Sequence, residues 1–463
     1  MFSTKKVYAL IVAALAAAAI ITSLSLYFYY RTSTPAWTFA FYLDGSGSLL
    51  LEQQRNLREI IRGSRGLQHA TVVVYCDRGP APRAPMFYAW KGPRIFHVKG
   101  TYNETLSHPV LPRLPQSVEK PRFEELLLKG LPAPEARLFE RHYTLQRGRY
   151  VLNATDLPPE QGQAMLAALQ KSGYLFGADT PADTVSAASM SRFFSLVRDN
   201  YPARHYAFFI AGHGLGWFSG RSLKPAPQTA AADTLNKSFH AEAIHKGLIH
   251  NEPDILCLDL CLMADLESVY RLRHSAGYLV LGQGPIPSSG QDYGYLFEHL
   301  AEKRASRPDA MARAVFASAA HALDKSRLNS AIALIKTGPK IDTFIDDFAA
   351  MLSDAGPQRM NAALQQTNLR LPPWGGLAHE MIDLKGLIKA VQTTSGIKGP
   401  DPSAFLLNTH ATSKKISGLS IYYPQSTRIY LANRDEYAGL DFTHATGKRW
   451  LALLDSRHGP SLD

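Results

Sequence analysis

Cysteine is scarce in this chain of 463 residues, which carries only Cys76, Cys257 and Cys261. Three thiols cannot build a disulfide framework, and without a Cys-x-x-Cys pair the sequence gives no zinc signature. We interpret Cys257, within an apolar run, and Cys76, at the end of another, as small buried residues. Cys261 alone is left as a candidate for chemistry.

Clusters of basic and aromatic residues, the usual sign of a nucleic-acid-binding surface, are also missing. Charged residues make up 19% of the chain, and the net charge of +11 is spread along it. We therefore predict a solvated basic surface and no nucleic-acid partner. No segment is poor enough in apolar residues to predict disorder, and no internal repeat is present. A chain of this length forms two domains or one elaborated domain.

Charge is absent from residues 7–30, which lie between Lys5-Lys6 and Arg31. An uncharged run of this length is enough to cross a bilayer as a helix. The aromatic residues at 27–30 resemble an interfacial belt, and the leading lysines favour a cytoplasmic N-terminus. The sequence therefore predicts a cytoplasmic tail at 1–6 and a transmembrane helix at 7–30.

A cleaved signal peptide is the alternative for this segment. It would have a shorter apolar run and a small-residue cleavage site, and Ala17–Ala19 lies too deep in the run to supply one. We therefore favour an uncleaved signal anchor, followed by a linker at 31–36. The rest of the chain would then lie outside the cytoplasm, held at the cell (inner) membrane by a single span.

Short apolar runs alternate with helical patterns after the linker. Trp37–Leu43 and His69–Cys76 are typical of buried strands, and Leu49–Arg62 between them has helical spacing. The alternation continues through most of the chain and predicts an α/β fold, with a mainly parallel sheet of about six strands flanked by helices. Residues 79–150 are rich in Pro, Arg and Gly and are interpreted as a variable insertion.

His213 and Cys261 each lie at the end of a predicted buried strand, within the runs 205–214 and 254–264. Open α/β sheets bind ligands at the carboxyl ends of their strands, so both side chains point to a site at that edge. Taken singly, such a Cys more often packs in a core and a His-Gly pair more often makes a turn. Together, an imidazole and a thiol at one edge favour a thiol-nucleophile hydrolase, and the order His before Cys is that of caspase-type proteases.

Two further features would support such chemistry. Gly214 lacks a Cβ, so its N–H can approach an oxyanion and form a two-donor hole with the N–H of Cys261. A helix that we predict to begin near Met263 would favour a Cys261 thiolate through the positive end of its dipole.

The two blocks around these residues resemble the active-site blocks of the clostripain family of cysteine peptidases. Ala211–Trp217 reads Ala-Gly-His-Gly-Leu-Gly-Trp, and Leu258–Ala264 reads Leu-Asp-Leu-Cys-Leu-Met-Ala. The resemblance implies a caspase-like fold, preceded here by the transmembrane helix. The catalytic core would span 37–300, with the insertion near 79–150, and a C-terminal helical region with a late strand at 301–463 would complete the fold.

The resemblance also implies site residues. His213 and Cys261 would be the catalytic dyad, and Asp259 would line the primary specificity pocket, where a carboxylate pairs with Arg or Lys. The alternative for Asp259 is a buried acid that orients a loop. Residues 283–287 read Gln-Gly-Pro-Ile-Pro and lack the acidic residues that family members tend to carry there.

Self-processing and calcium dependence are further family properties. Arg221 and Lys237 are the candidate positions for self-cleavage, because Pro225 disfavours Lys224. No dense carboxylate loop indicates a calcium site, and Asp44–Ser48 predicts a turn first. We therefore expect no required cofactor and assign no metal ligand; calcium is the alternative that the family offers, with little support in these residues.

The sequence thus predicts a membrane-anchored, extracytoplasmic cysteine endopeptidase that cleaves polypeptides after Arg or Lys. A catalytically inactive peptidase-like binding module at the cell surface is one alternative. A cysteine hydrolase or transpeptidase of different specificity is the other.

Overall fold

The structure is a computed structural model, and not all of the chain is described in it. The described residues are 35–45, 48–67, 70–77, 93–98, 114, 117–125, 127, 131–146, 148–153, 157–171, 183–220, 238–302, 307–366, 371 and 380–459.

Strands and helices alternate along these residues. The strands β1 to β15 are Trp37–Asp44, Ala70–Asp77, Pro93–Val98, Ser117–Glu119, Tyr143–Gln146, Arg149–Leu152, His205–Ala211, His213–Gly214, Ser238–Phe239, Ile255–Asp259, Tyr278–Gly282, Ala331–Lys336, Met381–Asp383, Leu406–Ala411 and Ser420–Tyr422. The α-helices α1 to α14 are Leu50–Gly63, Lys120–Glu125, Ala133–His142, Pro159–Lys171, Ala187–Asn200, Ala241–Leu248, Leu266–Leu272, Tyr293–Glu302, Pro308–Asp324, Pro339–Gln366, Leu384–Ser395, Thr427–Ala438, Asp441–Ala445 and Arg449–His458.

A large mixed sheet forms the centre of the fold, in the strand order β14-β12-β11-β10-β7-β1-β2-β3. The five strands from β11 to β2 run parallel to one another. The edges are antiparallel: β3 pairs with β2, while β12 pairs with β11 and β14 pairs with β12. The parallel centre brings the carboxyl ends of β1, β7 and β10 to one edge of the sheet.

The predicted architecture is therefore corrected in two respects. The sheet has eight strands rather than about six, and three of them are antiparallel additions at its edges. The fold was also predicted to follow a transmembrane helix at 7–30, which lies outside the described residues. In the part of the chain that the structure describes, no helix is long and apolar enough to cross a membrane.

Side chains alternate between two buried layers, because successive residues of a strand point to opposite faces of the sheet. Phe39 and Phe41 of β1 pack with α1, α8 and α9 on one face. Ala40 and Tyr42 pack on the other face, with α5, α6, α7, α10 and α11. This double cover explains why the central strands read as near-continuous apolar runs rather than as alternating ones.

Smaller sheets surround this core. The strands β4, β6 and β5 form an antiparallel sheet within the region predicted as an insertion. The late strand predicted within 301–463 is β15, which pairs with β13 apart from the large sheet. The two-residue strands β8 and β9 pair in parallel just beyond the end of β7. The pairing of β8 positions His213 and Gly214.

Candidate functional site

The register of two neighbouring strands brings the predicted site residues together. In the parallel pair β7–β10, Ala211 lies opposite Asp259, and the N–H of Gly212 donates to the Asp259 carbonyl at 3.3 Å. His213 and Cys261 each come two residues after this matched pair. They therefore leave adjacent strands at the same level of the sheet edge.

The backbones of Gly214 and Cys261 lie in direct contact. A Cβ at position 214 would lie 2.4 Å from the Cys261 carbonyl oxygen and 3.0 Å from the Cys261 nitrogen. Only glycine permits this approach, because a Cβ at these separations would collide with backbone atoms. The structure thus brings together the two residues whose N–H groups the sequence proposed as oxyanion donors.

The turn that carries Cys261 is held in an unusual conformation. Leu262 has φ = 61°, in the left-handed region that a branched side chain rarely adopts. Its N–H donates to the Gly284 carbonyl at 3.0 Å, and the N–H of Ala264 donates to the Gly282 carbonyl at 3.0 Å. Gly216 packs from the other side, where a Cβ would lie 2.7 Å from the Leu262 carbonyl oxygen. These contacts hold the thiol at a fixed point between the end of β11 and the segment after His213.

The Cys261 side chain lies in a mostly apolar setting. It is partly exposed, unlike the buried Cys76 and Cys257. Burial of the Sγ atom raises the pKa of the Cys261 thiol, the nearby Asp259 carboxylate raises it further, and the Ile286 N–H, which donates to Sγ at 3.5 Å, opposes both. The resting side chain is therefore a thiol rather than a thiolate.

The prediction that a helix dipole acts on Cys261 was wrong. The helix was expected to begin near Met263, but α7 begins at Leu266. Its cap is Asp265, whose Oδ1 accepts the Ser268 N–H at 2.7 Å and whose Oδ2 accepts the Ser268 hydroxyl at 2.7 Å. Because this carboxylate occupies the positive end of the helix, Cys261 gains little from it.

His213 is held by a residue that sequence reasoning missed. Its Nε2 atom forms a hydrogen bond with the Ser48 hydroxyl at 2.8 Å. Ser48 follows β1, which is the neighbour of β7 in the sheet, so the contact joins two adjacent strand ends. Burial lowers the pKa of His213, so its imidazole is neutral at neutral pH. The Asp44–Ser48 turn was the only signal in the sequence, and it gave no reason to connect Ser48 with His213.

Asp259 is the last residue of β10, two residues before Cys261, and it is almost fully buried. Its Oδ2 atom accepts the Gln291 N–H at 2.9 Å and the Tyr293 hydroxyl at 2.8 Å. Burial raises the pKa of Asp259 to about 6, while these two hydrogen bonds oppose the shift. Within the described residues no hydrogen bond reaches Oδ1.

The space beside Asp259 is nearly closed. The adjoining cavity measures about 10 Å³ and is bounded by Ile286, Pro287 and Gly290. Gly290 is required here, because it has φ = 73° and a Cβ would lie 2.5 Å from Asp259 Oδ2. Asp259 thus orients the 286–293 loop, and a substrate side chain would reach it only after that loop moved.

Two other predictions concern self-cleavage and metal binding. Arg221 and Lys237 lie outside the described residues, between the end of the segment after His213 and β9. Among the residues that the structure describes, no group of three or more His, Cys, Asp or Glu side chains is arranged to hold a metal ion.

Comparison with solved structures identifies the fold. A secreted C11 cysteine protease from Bacteroides thetaiotaomicron, in complex with an irreversible peptide inhibitor, matches with a TM-score of 0.54 and 15% identity, over 89% of this chain and 99% of that one. An inactive zymogen C11 protease from Parabacteroides distasonis gives a TM-score of 0.54 and 16% identity over the same shares. At these identities the likeness establishes the fold alone. No curated protein sequence matches the chain.

The sequence model of the Clostripain family provides the stronger result. It matches residues 41–446, from within β1 to just beyond α13, and so includes both candidate blocks. The resemblance predicted from Ala211–Trp217 and Leu258–Ala264 is confirmed. The chain belongs to the clostripain family, and it is a cysteine peptidase.

Proposed function

We propose that this peptidase is an endopeptidase that cuts polypeptides after Arg or Lys, with Cys261 as nucleophile and His213 as its acid–base partner. The observation that carries the proposal is the contact between Gly214 and the Cys261 backbone at the carboxyl edge of β7 and β10. It supports an arrangement in which thiol, imidazole and two N–H donors face one carbonyl group.

The raised pKa of the thiol and the lowered pKa of the imidazole favour a neutral resting pair. In the first step, Cys261 Sγ bonds to the scissile carbonyl carbon while its proton passes to His213. The N–H groups of Gly214 and Cys261 stabilise the oxyanion. His213 then protonates the leaving amine as the C–N bond breaks, which leaves a thioester. Water, deprotonated by His213, hydrolyses the thioester, releases the carboxylate product and restores the thiol.

Asp259 supports the preference for basic residues. Its Oδ2 atom is occupied by Gln291 and Tyr293, whereas Oδ1 has room for a further donor. A guanidinium or ammonium group would pair with this buried carboxylate much more strongly than at the surface, because little water competes. The pairing requires the 286–290 turn to move away from the position that it now occupies.

We also infer that the enzyme works outside the cytoplasm and is processed by its own activity. The B. thetaiotaomicron neighbour is described as secreted, and the P. distasonis neighbour as an inactive zymogen. Cleavage after Arg221 or Lys237 would cut the connection between β8 and β9. Purified wild-type protein should therefore show two fragments on a denaturing gel, and the Cys261→Ala variant should show one full-length band. Identical band patterns would refute self-processing.

Fluorogenic peptides ending in Arg, Lys or Ala before the reporter group test the specificity. We expect turnover of the Arg and Lys substrates, none with Cys261→Ala, and full turnover with Cys76→Ala, which removes a buried thiol from β2. The Asp259→Ala variant should lose at least about tenfold in kcat/KM on the basic substrates. Turnover of the Ala substrate that survives Asp259→Ala would contradict the basic specificity. Failure to cut any peptide after deliberate processing would indicate a binding module instead.

A further inference from the structure

A second cavity lies away from the candidate peptidase site. It measures about 560 Å³ and lies between α6, α7 and the 436–442 segment. None of the described residues His213, Asp259 and Cys261 lines it. Its volume is in the range of sites that hold small molecules or single side chains of a bound peptide.

Two nearly buried polar groups face this cavity without a partner. Trp217 is 3% exposed, and among the described residues its Nε1–H has no acceptor. Glu267 is 2% exposed, and its Oε1 atom accepts the Tyr422 N–H at 3.0 Å and the Tyr437 hydroxyl at 2.6 Å. No donor in the described part of the chain reaches Glu267 Oε2. Leaving such groups unpaired is unfavourable, so a ligand with a matching donor and acceptor would be stabilised here.

The charges that line the cavity do not balance. Arg271 contacts both Glu242 and Asp441, and Lys246 pairs with Glu242 at 2.8 Å. Both cationic side chains that line the cavity, Lys246 and Arg271, are therefore already paired with carboxylates.

Two carboxyl groups remain uncompensated. Glu436 accepts the Ser219 N–H at 2.7 Å, but neither Glu436 nor Glu267 forms an ion pair within the described residues. A cationic ligand would give Glu436 an ion-pair partner and would offset the cost of ionising the buried Glu267, so the cavity favours a cation.

We propose that this cavity is a non-catalytic binding site for a basic residue of a polypeptide. The cationic end of the side chain would lie between Glu267 and Glu436, where it would favour the ionised form of Glu267. The carbonyl of the bound residue would accept the Trp217 Nε1–H. The apolar stem of Lys or Arg would pack against Leu440 and Phe442, as such stems do on apolar surfaces.

This site goes beyond the proposed peptidase activity, because it needs neither Cys261 nor Asp259. It would give the enzyme a second contact with a polypeptide chain. The two sites are connected through short segments: Trp217 follows His213 in one block, and Glu267 lies in the helix that follows the Cys261 turn.

Isothermal titration calorimetry tests the proposal with two matched probes, N-acetyl-lysine amide and N-acetyl-norleucine amide. The protein carries Cys261→Ala in all samples, so that neither processing nor turnover contributes heat. We expect the lysine probe to bind, and the norleucine probe, which lacks the charge, to bind at least about tenfold more weakly. Glu436→Gln and Glu267→Gln should each weaken the lysine probe by a similar factor. Glu298→Gln, on the exposed side of α8, should leave it unchanged.

One further variant distinguishes binding in this cavity from binding in the peptidase pocket. If the cavity is the site, binding of the lysine probe should persist in Asp259→Ala and weaken at least about tenfold in Glu436→Gln. Loss in Asp259→Ala alone would assign the binding to the peptidase pocket and overturn the proposal. Equal binding of both probes would also overturn it. Since Glu267 is buried, thermal unfolding checks that its variant folds, and the half-exposed Glu436 gives an independent result.

Discussion

At the scale of single residues, the proposed catalysis depends on how closely two backbone segments approach. The Gly214 Cα atom lies against the Cys261 peptide, and the two N–H groups proposed as oxyanion donors belong to these residues. A shift of less than an ångström in either segment would change where both donors point. The position of Gly214 is therefore as critical as the reactive side chains themselves.

The Gly214→Ala variant tests this dependence. Its Cβ would lie 2.4 Å from the Cys261 carbonyl oxygen, so one of the two segments must move. We expect kcat/KM to fall by about 100-fold or more, the usual effect of losing one oxyanion donor. Gly66→Ala is the control, because a Cβ there has no atom within 4 Å. Near-normal activity of Gly214→Ala in a folded protein would exclude Gly214 from the site.

The protonation state of the pair makes a second prediction. Because burial lowers the pKa of His213, kcat/KM should lose half its value only below about pH 6.5, the ordinary pKa of histidine. Iodoacetamide should alkylate Cys261 slowly at neutral pH and faster as the pH rises past the ordinary thiol pKa, since burial raises the pKa of this thiol. Rapid alkylation at pH 6 would show a thiolate instead.

Ser48 is the site residue that the sequence did not reveal. In the tautomer that carries its proton on Nε2, His213 donates to the Ser48 hydroxyl, and Nδ1 is left as the base. We expect Ser48→Ala to lower kcat about three- to tenfold with little change in KM and to shift the acid limb of the pH profile. Ser48→Thr, which keeps the hydroxyl, should restore both. A change in KM alone would indicate a structural role.

At the scale of elements, the start of α7 carries two buried carboxyl groups. Asp265, the cap of the helix, is fully buried, and Glu267, two residues further along the chain, is almost fully buried. Burial raises the pKa of both groups, and the charge of Asp265 raises that of Glu267 further. The folded protein therefore holds a proton that the unfolded chain releases above about pH 4.5, the ordinary pKa of Glu.

Stability should depend on pH as a result. Since the folded state binds more protons than the unfolded state, the free energy of unfolding falls as the pH rises above about 4.5. We expect urea unfolding midpoints to decrease from pH 5 to pH 8, and Glu267→Gln to flatten this dependence. Glu298→Gln serves as the surface control. Equal slopes for wild type and Glu267→Gln would contradict the assignment.

The strands that the sequence predicted well are those buried on both faces. Apolar density predicts strands at Trp37–Leu43 and within 205–214, and the structure forms them at Trp37–Asp44 and His205–Ala211. Two strands at one end of the sheet are not predicted, for different reasons. Ala331–Lys336, second from the edge, is apolar but lies between long helical patterns, and the edge strand Leu406–Ala411 is mostly exposed and so lacks an apolar signal. Edge strands have less need of apolar residues, because one side of their backbone faces no neighbour.

At the scale of the whole molecule, the order of the sheet determines which residues meet. The sequence predicted that His213 and Cys261 lie at strand ends, but periodicity alone could not show that β7 and β10 are neighbours. The resemblance to the clostripain family supplied that link. It did not supply the closed loop over Asp259, because hydrogen bonds from Gln291 and Tyr293 depend on tertiary contacts rather than on local pattern.

The strand order also predicts the fate of a processed enzyme. Cleavage after Arg221 or Lys237 would put β7 in one fragment and β10 in the other. These strands are paired at five positions, from Ala207–Ile255 to Ala211–Asp259. Because they lie in the middle of a sheet covered on both faces, their separation would expose the core on both sides. We expect the two fragments to elute together at the size of the intact chain in size-exclusion chromatography, and to separate only in denaturant. Elution of separate fragments from a native column would show that the cut falls elsewhere or that the halves fold independently.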